Sequence, residues 1–598
     1  MGVVEPIWVV ADAADARRFL AEPQRSGRVL GLTPVARAAL ADAALDRIDP
    51  RRHFTDWAQA RTVAAVRRAR QKLVAAAAAL PGGRAIRREI ALDLFLRAAY
   101  TGYRLWFTLG AAGPWMVPEG AGWRRCETRD EAYRALLLHM LAPLVAGQAR
   151  VARARTLPMP ALYRALRAML LRGCCRNSVA FVSGARKGMF GLLDAIAAEA
   201  APARIVVVQS GGGGWRDYLR LARNAWRALR GERFIDVSLL AAPRGDASAA
   251  AEELIAAIDD GVIAAAFGFY RALLDYRLAQ AEPALADARA ILAAAAPRHY
   301  LSADASRLSD WALAEACGEA GVTRWVLSRN THVAPSSRLA EDACQGYFAA
   351  RHPEGLVDRY IFWTPLGAAA ARAMLPRERH AAIEPVAAVP VAPLDAGGST
   401  ARPRRIIVAD TFAALWFTHS WAFQTSDEYM DGLAALVRAV EALPETTLLI
   451  RAKARHELDL AAYRRLLPPS ANVEIKIRDV PFRDDLIASD LLVAFRSTTI
   501  EEALHARRPA LLWGGSARYR YLPARSEPPQ PGDRGTIYAA ATADDLARLL
   551  PAILDQHAGK PLSDAEIAPH AWPRGTPGVA DLARRMLAPP QSALRQAA

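Results

Sequence analysis

Short apolar runs rich in β-branched residues alternate with Ala/Leu/Arg-rich helical stretches along most of this chain. Strands that are apolar along their whole length need cover on both faces, and strands separated by helices pair in parallel. The alternation therefore predicts parallel sheets wrapped by helices. In the first third, IWVVAD (7–12), RVLGLTP (28–34) and PWMVPEG (114–120) read as strands, with long helical stretches at about 56–110 and 130–173. In the middle third the strands are SVAFVSG (178–184), RIVVVQS (204–210), FIDVSLL (234–240), RHYLSAD (298–304), RWVLSRN (324–330) and RYIFWTP (359–365). In the last third they are RIIVAD (405–410), TLLIRAK (447–453), NVEIKI (472–477), DLLVAF (490–495), PALLWGG (509–515) and GTIYAA (535–540). Thr425-x-x-Glu428 is a capping box that predicts a helix over 429–443.

The segment 384–405 has four prolines, two adjacent glycines and no helical period, and so marks a domain boundary. It divides the chain into an N-terminal α/β and helical region (1–175), a Rossmann-like domain (176–385), a linker (386–404), a second Rossmann-like domain (405–560) and a Pro-rich, weakly patterned tail (561–598). The expected class is α/β: two Rossmann-like parallel-sheet domains with an additional N-terminal α/β-helical region. Two such sheets bind ligand between them, at the carboxyl ends of their strands.

The net charge of +16 favours phosphate-rich partners. No zinc-finger spacing or aromatic ribonucleoprotein motif is present, so nucleic acid is not the expected partner. The five cysteines (Cys126, Cys174, Cys175, Cys317 and Cys344) are odd in number and fit no metal spacing, which points to buried thiols in a reducing compartment. The N-terminus lacks a basic leader region, and no run approaches the ~18 uninterrupted apolar residues of a spanning helix. The expected localisation is cytoplasmic, with peripheral attachment to the inner face of the cell membrane left open. Arg150, Arg153, Arg155, Arg164, Arg167 and Arg172 form a basic stretch that reads either as a contact to an anionic membrane or as a solvated helix face.

The most informative segment is 495–509 (FRSTTIEEALHARRP). A buried strand ends there in Arg496-Ser497-Thr498 and runs into a helix. A helix start presents unpaired N–H groups and a positive dipole, to which Ser497 and Thr498 add hydroxyls and Arg496 a cation. Glu502 stands where its carboxylate can accept hydrogen bonds from two ribose hydroxyls. The competing reading is a plain helix cap. The following strand and the place of the segment in a βαβ series favour the functional one.

From Ser497 to Pro509 the chain resembles the donor-site segment S-T-x-x-x-E-A-L-x-x-x-x-P of GT-B fold glycosyltransferases. It is similar in particular to the bacterial enzymes that build capsule and lipopolysaccharide, and to related sialyl-, Kdo- and glycerophosphate-transferring enzymes. The resemblance extends over about 178–554 as architecture and over the last ~150 residues as motif. It implies a C-terminal domain that binds the nucleotide-sugar, with Glu502 on the ribose, an N-terminal domain that binds the acceptor, and basic groups and helix dipoles in place of a metal ion. No cofactor beyond the nucleotide-sugar co-substrate is expected. In several of those transferases a turn after the second strand reads K-P-H-P; here it reads Lys453-Ala454-Arg455-His456, with the Lys matched, the His displaced by one and both prolines missing.

Further candidates lie at strand carboxyl ends. Arg451, Lys453 and His456 are donor-phosphate candidates, as are His419 and Ser420 in the loop after the first strand of the last domain. In VVVQSGGGGWRDY (206–218), Gly212 and Gly213 permit close backbone approach and Asp217 adds a polar contact, which reads as an acceptor or donor-sugar contact loop, the alternative being a flexible surface turn. Asp304 and His332 are candidates for general-base work on an acceptor hydroxyl. Neither a His/Cys cluster nor a well-placed D-x-D is present, so no metal is expected. The expected function is transfer of a sugar from a nucleotide-sugar to a surface-polysaccharide or lipid-linked glycan. The alternatives are a nucleotide-sugar epimerase, a CDP-alditol phosphotransferase, and a non-catalytic assembly protein.

Overall fold

The computed structural model describes residues 5–588 except 50–54, 81–84, 111–112, 155–158, 176–179, 184–189, 200–203, 212–214, 304–306, 329–340, 343–354, 388–402, 411–424, 453–458, 478–481, 496, 515–519 and 521. Three sheets organise it. The first contains β1 (Ile7–Val10), β2 (Arg28–Gly31), β3 (Trp115–Glu119) and β4 (Gly122–Cys126) in the order β2-β1-β3-β4. β4 closes an antiparallel hairpin on β3. Its sequence, GWRRC, is mostly exposed and has no apolar alternation, which is why the apolar-run reading passes over it.

The second sheet holds β5 (Ala180–Ser183), β6 (Ile205–Ser210), β7 (Phe234–Leu239), β8 (His299–Ser302), β9 (Thr323–Ser328), β10 (Arg359–Phe362) and β11 (Ile383–Pro385). The third holds β12 (Arg404–Ala409), β13 (Thr446–Ala452), β14 (Val473–Ile477), β15 (Leu491–Ala494), β16 (Ala510–Leu512) and β17 (Ile537–Ala539). Every pairing in both is parallel. The orders are β11-β10-β9-β8-β5-β6-β7 and β14-β13-β12-β15-β16-β17. Counted within each domain, both read 3-2-1-4-5-6, with β11 added as a seventh strand at the far edge of the second sheet. That is the doubly wound order, in which the chain reverses direction between strands one and four. The apolar runs become strands because helices cover both faces: β12 and β15, for example, carry unbroken buried runs.

The helical region after β2 does not stand apart. Helix Ala85–Leu109 packs with Gly261–Gly268, Arg271–Ala295 and Leu308–Glu319, helix Asp56–Ala79 packs on it and on Ser248–Ala256, and one apolar cluster runs from Ile7 to Leu356. The same region reaches the last domain. Val35 packs against that domain's core, and Val63 belongs to one of its clusters. Asp427, buried in the first turn of helix Ser426–Glu441, faces Arg37 at 2.9 Å and Arg104 at 3.6 Å. The capping box expected at Thr425 and Glu428 is formed, with both reciprocal bonds present.

The segment expected to be a weakly patterned tail is structured as far as residue 588. Helix Val579–Leu587 lays Leu582, Ala583 and Met586 against Leu192, Leu193 and Ile196 of helix Phe190–Glu199. The Trp572 indole N–H donates to the Phe362 carbonyl at 3.1 Å, and the Ala387 N–H to the Pro577 carbonyl at 2.9 Å. The chain end thus returns to the middle sheet. A nine-residue helix between prolines is too short for a helical period to stand out. Cys126, Cys175 and Cys317 are buried thiols, and burial pushes Cys175 and Cys317 up to about 12.

Candidate functional site

The strand order locates the site. In the last sheet β12 and β15 lie side by side with Val408 opposite Val493, and the helices after them depart to opposite faces of the sheet. In sheets of this order the carboxyl ends of these two strands are where ligands bind. The turn after β15 carries Ser497 and Thr498, and the residue after β12 is Asp410. The motif singled out from sequence thus sits at the switch point of its sheet.

Within the turn, the Ser497 hydroxyl accepts from the Thr499 N–H at 3.2 Å, and the Thr498 carbonyl accepts from the Glu502 N–H at 3.2 Å. The helix that follows, Thr499–His505, has seven residues. Ile500, Ala503 and Leu504 pack into the sheet core. Neighbouring carboxyls part company here: Glu501 is buried, while Glu502 is half-buried together with Ser497 and Thr498. Of the two acids, Glu502 is the more accessible to solvent.

Asp410 was not singled out from sequence. It is buried, and it accepts the Tyr429 hydroxyl at 2.8 Å while its N–H donates to the Arg451 carbonyl at 3.3 Å. The acid thereby ties β12, β13 and the helix Ser426–Glu441 together beside the switch point. Its signal in the sequence is its place as the first residue after an apolar strand.

Two sequence candidates have structural partners instead of open positions. Arg451 is buried at the end of β13 and forms an ion pair with Asp485 of helix Phe482–Ile487. Its assignment to the donor phosphates is corrected accordingly: a guanidinium committed to a buried carboxylate is part of the frame beneath the site. Asp217, read as an acceptor contact, is fully buried. Its carboxylate accepts the Ser238 hydroxyl at 2.7 Å and lies 3.4 Å from the Arg220 guanidinium. It joins its helix to β7 and does not face a ligand. Lys453, His456, Arg496, His419, Ser420, Gly212, Gly213, Asp304 and His332 lie outside the described residues. Among the described residues no group of His, Cys, Asp or Glu is arranged to hold a metal ion.

The basic stretch divides. Arg164 and Arg167 turn inward to Asp287 of the helix Arg271–Ala295, each at 2.8 Å, so neither is available to a membrane; Arg172 is exposed. Among the described residues no helix is long and apolar enough to cross a membrane.

Comparison by sequence finds no matching family model and no matching curated protein. Comparison by structure finds similar folds. A putative UDP-N-acetylglucosamine 2-epimerase from Listeria monocytogenes aligns with TM-score 0.38 and 14% identity, over 70% of this chain and 97% of that one. A UDP-GlcNAc 2-epimerase from Neisseria meningitidis, bound to UDP-GlcNAc, aligns with TM-score 0.37 and 10% identity, over 70% and 100%. MurG from Acinetobacter baumannii aligns with TM-score 0.36 and 11% identity, over 68% and 99%. These values are too low to carry an activity across. The α/β class and the two Rossmann-like sheets stand on the strand pairings themselves.

Proposed function

We propose that this protein is a metal-independent glycosyltransferase that moves a sugar from a nucleotide-sugar donor to a surface-polysaccharide or lipid-linked glycan acceptor. The observation that carries the reading is the coincidence of motif and topology: S-T-x-x-x-E stands at the β12–β15 switch point of a 3-2-1-4-5-6 sheet. In this reading Ser497 and Thr498, with Arg496, Lys453, His456, His419 and Ser420, hold the donor phosphates, and Glu502 holds the ribose. The middle domain supplies the acceptor side, with Asp304 and His332 as bases for the acceptor hydroxyl. Arg451 contributes by fixing the end of β13 through Asp485.

The test is calorimetric titration with UDP-, GDP-, CDP- and CMP-linked sugars. One class should bind, and Glu502→Ala should weaken it roughly tenfold or more, since two hydrogen bonds to a charged acceptor are lost. Absence of binding by the unaltered chain defeats the reading. Turnover of the nucleotide-sugar without any acceptor replaces it with epimerisation.

A further inference from the structure

The outer edge of β7 is closed by side chains, and two helices carry polar groups on their inner faces to do it, beside the apolar residues Leu170, Leu171, Leu221 and Ala228 that they bury in the core. Asp236, Ser238 and Leu240 present their backbone groups at that edge. The Asn224 side chain pairs with Asp236, donating to its carbonyl at 2.9 Å and accepting its N–H at 3.2 Å. The Ser238 N–H donates to the Tyr163 hydroxyl at 3.0 Å, and the Ser238 carbonyl accepts from Arg167 at 2.7 Å. The Leu240 N–H donates to Asp287 at 2.8 Å. Such capping blocks strand addition at an exposed edge. It requires helices Pro160–Cys174 and Trp215–Leu229 to direct polar groups inward: Arg164 and Arg167 from the first, Asp217 and Asn224 from the second.

Their outward faces are apolar. On the first helix Leu162, Leu166 and Met169 are exposed. On the second, Trp215, Leu219, Trp226 and Leu229 are 64%, 69%, 56% and 79% exposed, spaced so that they form one stripe. Of the eleven large apolar side chains exposed among the described residues, eight belong to these helices or to the cap residue Met159, so the exposure is concentrated. The two helices meet where the Tyr218 hydroxyl donates to the Met159 carbonyl at 2.7 Å and the Tyr218 ring packs on Tyr163 and Trp215. Beside the stripe run the exposed Arg216, Arg223 and Arg230, the last stacked on Trp226 at 4.7 Å. Between Glu131 and Asp194 the chain contains no acidic residue.

We infer that this surface docks on an anionic lipid bilayer, with the Trp/Leu/Met stripe entering the headgroup region and the flanking arginines neutralising lipid charge. Exposed tryptophans beside Arg216, Arg223 and Arg230, which form no ion pair among the described residues, match an interface that is apolar on one side and anionic on the other. A helical protein partner seated on the same spacing would be expected to bring acids of its own. The inference is independent of the nucleotide-sugar reading, because it involves none of the donor-site residues.

The test is flotation of the full chain with vesicles of phosphatidylcholine alone and of phosphatidylcholine mixed with phosphatidylglycerol. The chain should float with the mixed vesicles, and less so at high salt. Trp226→Glu with Leu229→Glu should weaken that binding at least ~tenfold, since each replaces a bilayer-buried apolar group. Arg216→Glu with Arg223→Glu should weaken it on mixed vesicles by a similar factor, each arginine being worth roughly fivefold at an anionic surface. Circular-dichroism melts should show all variants folded. No flotation by the unaltered chain, or flotation unchanged in the first variant, overturns the inference. So does light scattering that shows a dimer which the first variant splits, because a second copy then covers the stripe.

Discussion

The two doubly wound sheets place a helix at the same step, between their second and third strands, and use it differently. In the last sheet that helix is Leu460–Leu466: Tyr463 is buried, Arg464 and Arg465 face outward, and the N-terminal helix Pro34–Ala39 packs beside it. In the middle sheet it is Trp215–Leu229, twice as long, with polar Asp217 and Asn224 beside Leu221 and Ala228 on its inner face and an apolar stripe on its outer one. Both flank an edge strand of the same topology. Covering the edge therefore does not demand the Trp/Leu stripe, since the shorter helix manages without one. What the middle helix adds is surplus to folding, and a surplus of exposed tryptophan and leucine is a cost in solution unless something uses it.

The comparison breaks first at Asp287. If the inward polar contacts hold the middle helices in place, Asp287→Ala leaves Arg167 buried without its carboxylate and frees the Leu240 N–H. Loss of one partner from a buried pair costs about 3–5 kcal/mol. Urea denaturation should show that loss, together with faster amide exchange in residues 160–174 and 215–229. A shift close to zero would mean that apolar packing holds these helices, and the inward polar groups would lose their explanation.

A smaller effect tests the last domain by pH. His557 and His570, both in the segment that closes the last domain, are held at about 4 by burial, against 6.5 when exposed. Their folded forms are neutral and their unfolded forms take a proton. The stability they allow is complete above about 6.5 and is lost as pH falls from there towards 4. His557, whose Nε2 meets the Tyr538 hydroxyl at 2.9 Å, should account for about 2 kcal/mol between pH 7 and pH 5. Amide exchange of β17 and helix Ala543–His557 should rise over this interval, and His557→Gln should flatten the rise. An acid response that His557→Gln leaves unchanged would rule out the burial argument.

What could be read in the sequence divides along the same physical line. Every apolar run taken as a strand forms one, because burial on both faces is a local demand that a run of Val, Ile and Leu meets by itself. The switch-point turn is legible for the same reason: Ser497 and Glu502 lie in the turn and short helix that follow the strand. Long-range partners are not. Arg451 and Asp217 were read as ligand contacts because charged groups near strand ends so often are. Their carboxylate and hydroxyl partners, Asp485 and Ser238, lie 34 and 21 residues away along the chain, on elements whose placement only the fold supplies. β4 and β11 escaped because neither carries a core of its own: one is largely exposed, the other three residues long. The apolar outer stripe was hidden because, in a sequence, leucine and tryptophan on a helix read as its buried face.

That last point yields the smallest effect and the sharpest test of the comparison. If the stripe is surplus to folding, Trp226→Ser and Leu229→Ser should change stability by no more than about 0.5 kcal/mol, as expected for exposed positions outside any packed contact. Trp226 does stack on Arg230, but an exposed cation–π pair is worth only about 0.5–1 kcal/mol, and the serine also removes an apolar group from water. The two terms oppose each other. In the last domain the equivalent helix offers the control: Tyr463 is buried, so Tyr463→Ser should cost several kcal/mol. Equal losses at Trp226 and Tyr463 would mean that the two helices are not used differently, and that the outer stripe is a packed face whose cover belongs to the folded protein itself.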